Sequence, residues 1–140
     1  MDYKLELIVV PVSDLDRSKA FYADQCGFNV DVDHTAGDFR IVQMSPRGSS
    51  CSIAMMKTSP MEPGTLHGLH LVVNDIVAAR DELVGRGVAL GEPHHYDGIA
   101  GQPVPGIHEG HGDYETFIEM KDPDGNTWLI QEVGYAAAHG

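Results

Sequence analysis

The feature that most limits how this chain can fold is an internal repeat. Leu7-Ile8-Val9-Val10-Pro11-Val12-Ser13-Asp14-Leu15 is an apolar run closed by polar residues, and Gly68-Leu69-His70-Leu71-Val72-Val73-Asn74-Asp75-Ile76 has the same pattern 61 positions later. Each reads as a buried strand running straight into a helix. Ser13 or Asp14, and Asn74 or Asp75, can accept hydrogen bonds from the free N–H groups of the first turn. Leu15, Ser18, Tyr22 and Cys26 follow on one helical stripe, and Ile76, Ala79 and Leu83 repeat its start. Gly27 and Gly87 stand where such helices end. Short strands are expected next, at Phe28-Asn29-Val30 and Val88-Ala89-Leu90.

Each copy then closes with a hairpin. The first runs from Phe39 to Met44, turns at Ser45-Pro46-Arg47-Gly48 and returns through Ser52 to Lys57. The second runs from Glu115 to Lys121, turns at Asp122-Pro123-Asp124-Gly125 and returns from Thr127 to Glu132. Pro followed two residues later by Gly suits a turn with a positive-φ position. Each unit is therefore βαβββ, and the fold class is α+β. The hairpin glycines, Gly48 and Gly125, are 77 positions apart, so the second copy holds about 16 extra residues, between Leu90 and Glu115. The expected organisation is one domain over residues 1–140. Module one covers about 3–57, a Pro/Gly-containing linker about 58–65, and module two about 66–134, with a long loop at about 91–114. A long loop on a repeated scaffold is usually functional or mobile.

Composition removes several classes of partner. The formal net charge is −12, which repels nucleic acid and anionic membranes. Leu7 to Val12 is far shorter than the roughly 20 residues of a membrane span. Cys26 and Cys51 form no C-x-x-C pair, so neither a zinc knuckle nor a redox dithiol is indicated. A cytoplasmic protein with reduced thiols is expected.

Pro11-Val12-Ser13-Asp14-Leu15-Asp16-Arg17-Ser18, followed by Phe21-Tyr22 and Gly27-Phe28, resembles the first half of a vicinal oxygen chelate protein. Asp122-Pro123-Asp124-Gly125-Asn126, with Trp128, resembles the last hairpin of that superfamily. Its members include glyoxalase I, extradiol dioxygenases, methylmalonyl-CoA epimerase, and fosfomycin and bleomycin resistance proteins. The resemblance runs from about Leu5 to Val133. It implies two βαβββ modules forming a cupped, eight-stranded mixed sheet with helices on the convex face, and a homodimer. Function stays open, because these relatives isomerise, oxygenate, epimerise, open epoxides or only bind drugs.

The resemblance also implies where a divalent ion would be held in metal-dependent members, by His or Glu on the first and last strand of each unit. Those slots are Leu7, Gly68, Leu129, and Ser52 or Ala54, and they lack the ligand chemistry an ion needs. A slip of one residue offers Glu6 and His67, but strict alternation turns both to the opposite face. No metal and no other cofactor is expected.

Alternation puts Val9, His70, Val72 and Gln131 on the face of the empty slots. His70 and Gln131 are then the polar groups of an otherwise apolar cavity, wall-and-anchor chemistry suited to a small molecule. His70 suits a base or hydrogen-bond partner, the usual work of a histidine near neutral pH; Gln131 would orient substrate. The plain alternative is a hydrogen-bonded histidine that never meets ligand and an amide at the cavity wall or strand end. Leu7, Val9, Ser52, Ala54, Met56, Val72 and Leu129 are the expected lining, and His95, Tyr96 and His108 the contacts from the loop. Solvated loop histidines are the plain alternative there. Three functions remain open: a metal-independent isomerase, lyase or cyclase; a non-catalytic protein that sequesters a drug or natural product; and a metal enzyme with relocated ligands.

Overall fold

In the first repeat, Asp14 has extended backbone and its side chain accepts the N–H of Arg17, which starts a helix at Leu15. In the second, Asp75 does the same for Ala78 and starts one at Ile76. Both helices thus begin where the sequence places them. The computed structural model describes residues 1–96 and 101–140, and they divide into two compact units. One is Met1–Leu66 with Asp122–Asn126, the other His67–Lys121 with Thr127–Gly140.

The first unit contains β1 (Leu7–Val9), α1 (Leu15–Lys19), β2 (Asn29–Ala36), β3 (Phe39–Ser45) and β4 (Ser52–Met56). Its sheet order is β1-β4-β3-β2, with β1 parallel to β4 and the other pairs antiparallel. The second unit contains β5 (His67–Val73), α2 (Ile76–Gly85), β6 (His94–Tyr96), β7 (Pro103–Pro105), β8 (Thr116–Lys121), β9 (Thr127–Glu132) and α3 (Tyr135–His139). Its order is β5-β9-β8-β6-β7, again with one parallel pair, β5 and β9. The first unit is βαβββ, as expected, and the second is the same unit with one strand added. The sheets hold four and five strands because Pro103–Pro105 adds an edge strand that the repeat lacks.

Four local differences have physical causes. The first helix changes to a π-helical segment over Ala20–Gln25, a wider turn that lets Phe21 as well as Tyr22 reach the core. Strand β2 extends to Ala36, well beyond Val30, and pairs with β3 through a two-residue Gly37-Asp38 turn. All eight of its residues are exposed, so it carries no burial pattern for the sequence to reveal. Val88-Ala89-Leu90 contributes only a bridge from Leu90 to Met120, and its strand position is taken by β6. The expected loop therefore contains β6 and β7; its residues 97–100 lie outside the described residues.

The core of the first unit is Val10, Tyr22, Val42, Met44, Ile53 and Met55, each contributing on the order of 1.5–3 kcal/mol by burial. Its polar centre is Asp122. That carboxylate accepts the Tyr22 hydroxyl at 2.8 Å, the Asn126 amide at 2.7 Å and the backbone N–H groups of Asp124 and Asn126. Asn126, fully buried, also donates to the Pro11 carbonyl and accepts from the Leu66 N–H. In the second unit Ile76, Ile118, Met120, Trp128 and Ile130 are buried. No helix among the described residues is long and apolar enough to cross a membrane.

Candidate functional site

On β8 and β9 burial alternates strictly. Thr116, Ile118, Met120, Trp128, Ile130 and Glu132 face the core, and α2 packs against β9. Phe117, Glu119, Thr127, Leu129 and Gln131 therefore occupy the opposite, open face. Register carries that face onto β5, where His70 is the partner of Leu129 and Val72 that of Gln131. His70 Nδ1 and Gln131 Oε1 are 2.8 Å apart. An amide oxygen can only accept, so Nδ1 carries the proton, and in the neutral ring Nε2 is left as an acceptor. Neither Nε2 of His70 nor the amide nitrogen of Gln131 has a partner among the described residues. The pair thus presents one acceptor and one donor to the open side.

The same face continues to β6. Phe117 is the partner of Gln131 on one side and of His94 on the other. His94 stacks on Phe117 with centroids 5.9 Å apart and planes at 23°. Tyr96 meets both rings edge-on, at 5.6 Å from each. Sequence reasoning named Tyr96 but missed Phe117; alternation along the closing hairpin, whose register pairs Phe117 with Gln131, would have found it. His95 turns to the other face, where its Nδ1 donates to the Gly106 carbonyl and its ring meets His108 edge-on. His108 is held by Glu115 at 2.6 Å and by a bond from its N–H to Thr116. His95 and His108 therefore lie across the sheet from His70 and Gln131.

Alternation also fails at Gly68. There φ is +92°, a conformation that glycine adopts without strain, and the pairing of β5 with β9 shifts by one residue. The bulge brings His67 back to the face it should have left: it pairs with Thr127, and its Nδ1 lies 2.8 Å from the Thr127 hydroxyl.

In the first unit, Leu7 pairs with Ser52 and Val9 with Ala54, while Met56 follows Ala54 on the same face by alternation. These five expected lining residues thus share one face of their sheet. Ser52 and Ala54 are buried. The Ser52 hydroxyl donates to Ser45, whose own hydroxyl goes to Asp31. A shallow pocket of about 270 Å³ in this unit includes Met56, Asp14, Asp16 and Arg40. Arg40 is already committed there to Asp16 and Asp33, and that pairing, with Lys19, holds the Asp33 carboxyl well below the usual carboxylate range.

The metal slots do not fit an ion. Hairpin register makes Ala54 the counterpart of Leu129, since Val9 pairs with Ala54 as His70 does with Leu129. Leu7, Ala54, Gly68 and Leu129 carry no donor atom. Among the described residues, no three His, Cys, Asp or Glu side chains are placed to hold an ion.

Paired βαβββ units, each with one parallel strand pair, define a class of α+β proteins built by duplication of one module. Within that class the chain belongs to the Glyoxalase/Bleomycin resistance protein/Dioxygenase superfamily, whose family model matches residues 4–130. The chain is similar to TnmS3, an antibiotic binding protein from Streptomyces sp. CB03234, at 29% identity and a TM-score of 0.73, covering 94% of this chain and 96% of that one. It is similar to a glyoxalase/bleomycin resistance protein from the same Streptomyces, at 29% identity and a TM-score of 0.71, covering 92% and 100% of the two chains. Uncharacterized protein YetH of Bacillus subtilis (strain 168) is 24% identical over 129 residues, covering 89% of this chain and 94% of that protein.

Proposed function

We propose that this protein binds a small organic molecule over the open face of its second sheet and holds it without a metal ion. The observation that carries the reading is the His70–Gln131 pair, which offers an unsatisfied acceptor and an unsatisfied donor beside Val72, Leu129 and Phe117. Apolar surface with a few placed polar groups is the usual composition of a ligand site. The likeness to TnmS3, an antibiotic binding protein, supports a ligand of natural-product size. The absence of donor atoms at the family's metal slots argues for binding through hydrogen bonds and packing.

A second reading is favoured by the tautomer. With Nδ1–H held by Gln131, the free Nε2 of His70 is placed to take a proton, and general base catalysis by a positioned His contributes typically 10²–10⁴-fold. In that case the protein is a metal-independent isomerase, lyase or cyclase. The two readings part in one experiment. A natural-product library is screened by thermal shift, hits are titrated calorimetrically against wild type, His70→Ala and Gln131→Ala, and each ligand is recovered for mass spectrometry and chromatography. Stoichiometric binding weakened by both substitutions, with ligand recovered unchanged, is the expected result. A converted ligand, with conversion lost in His70→Ala, selects the enzyme. Ligands that bind equally well to both variants would refute the site.

A further inference from the structure

Register sets the residues of this face in a straight line. Val72, Gln131, Phe117 and His94 are successive partners on β5, β9, β8 and β6. With strands about 4.8 Å apart, the line is roughly 14 Å long. One face of the Phe117 ring is covered by His94, and Tyr96 braces the edges of both rings. The other face of Phe117 is left towards β9 and β5. Across Gln131, two strands and so about 9.6 Å away, stand Val72 and, one pleat along, His70. Val72 is 57% exposed, an unusual cost for a β-branched side chain in a strand. Leu129 and Gln131 form the floor between these walls.

Two stacked contacts on a flat ring need about 7 Å between the facing atoms of the two walls, and side-chain thickness brings a 9.6 Å backbone spacing close to that. The slot has a fixed polarity. His70 Nε2 accepts, because Gln131 holds the Nδ1 proton; the Gln131 amide nitrogen donates. Resting on the binding reading above, we infer that the slot between Phe117 and Val72 takes a flat conjugated ring standing edge-down, with a donor and a carbonyl acceptor side by side on the buried edge. A lactam, or an N–H or hydroxyl next to a ring carbonyl, has that chemistry. The donor meets His70 and the carbonyl meets Gln131. A charged carboxylate edge lacks the donor, and a saturated ring is too thick and puckered for the walls.

The probes are the flat lactam carbostyril, its N-methyl derivative and its fully saturated octahydro analogue, titrated calorimetrically into the full chain. Carbostyril is expected to bind, with N-methylation weakening it about tenfold, the loss of one hydrogen bond that strands a partner. The saturated analogue is expected to be weaker by a similar factor. Phe117→Leu should shrink the flat-over-saturated preference while leaving the N-methyl effect. Gln131→Glu, which cannot donate to the carbonyl, should weaken carbostyril about tenfold and leave Phe117 in place. Equal binding of the flat and saturated lactams, or of the N–H and N-methyl forms, overturns the inference. So does a failure of carbostyril to bind where some other library compound binds in a His70-dependent way, an outcome that leaves the broader binding reading standing. If nothing in either set binds, both fall.

Discussion

Asn126→Asp exchanges one atom of a buried side chain and should turn the centre of the first unit into a pH-dependent liability. The Asn126 amide nitrogen lies 2.7 Å from Asp122 Oδ2 and 2.8 Å from the Pro11 carbonyl, and both are acceptors. The substitution places an oxygen there, facing two others, in a fully buried position. Two carboxylates at that separation would repel by about 6 kcal/mol even at an effective dielectric of about 20. Keeping the new carboxyl protonated at pH 7 costs less, about 4 kcal/mol from a reference pKa near 3.9, so it stays neutral. One O–H then replaces two N–H donors, and either Pro11 or Asp122 loses its bond, at a further cost of about 1–3 kcal/mol.

The sign follows from linkage. The folded protein holds a proton that the unfolded chain releases above about pH 4, so the penalty is absent in acid and grows by about 1.4 kcal/mol per pH unit until the folded group itself ionises. Urea denaturation at pH 5 and pH 7 should show a loss larger at pH 7 by about 2–3 kcal/mol, relative to wild type measured at the same two values. Asn126→Ala, which removes the same bonds without adding a titrating group, should show no such difference from wild type. A penalty of equal size at both pH values would refute the argument.

Tyr22→Phe removes one of the donors to Asp122 and should cost about 1–2 kcal/mol in urea denaturation; an unchanged midpoint would mean that this bond contributes nothing. Gly64 has φ +81°, and a Cβ there would overlap the Asp124 carbonyl oxygen, whereas Gly37, at φ +59°, faces open space. Gly64→Ala should therefore lower the thermal midpoint well beyond the effect of Gly37→Ala, and comparable shifts would show that backbone strain alone sets both. At α3, the bond of His139 to the Tyr135 carbonyl and its contact with Asp75 hold the His139 pKa above its usual value. The Ala78 N–H and, second, His139 lower that of Asp75. The stability this lends α3 is lost as pH rises through the raised His139 value, and again as pH falls through the lowered Asp75 value. Amide exchange at Tyr135–His139 should be slowest between those limits, and exchange protection that climbs steadily towards alkaline pH, after correction for intrinsic rates, would contradict this.

The elements legible in the sequence are those fixed by neighbours a few positions away. Asp14 and Asp75 were readable as caps because their partners, Arg17 and Ala78, are three residues on. The two closing hairpins were readable from their Pro-x-Gly turns, in which Gly48 and Gly125 take positive φ. Of β2 only the start, at Asn29-Val30, was readable; its extension to Ala36 pairs with β3 through residues that are all exposed. Glu132 was also hidden. At the end of a strand an acid reads as solvent-facing, yet this one is fully buried, accepting the Ile76 N–H through one oxygen and His111 through the other. Those partners lie 56 and 21 positions away, and no local pattern connects them.

The candidate site divides along the same line. Parity carries a side chain to a predicted face only while the ladder is unbroken. From Leu69 to Val73 the pairing with β9 runs without a shift, and there the prediction that His70, Val72, Leu129 and Gln131 share a face follows from counting alone. One residue earlier the bulge at Gly68 intervenes, and counting assigns His67 to the wrong side. The glycine that leaves the family's ligand slot without a side chain is thus also the residue whose positive φ lets its neighbour return to that face. Two histidines then stand on the open face of β5, one turned to Thr127 and one to Gln131. Each uses its Nδ1 on its own strand neighbour, an arrangement that fixes ring orientation through hydrogen bonds within the sheet rather than through convergence on an ion.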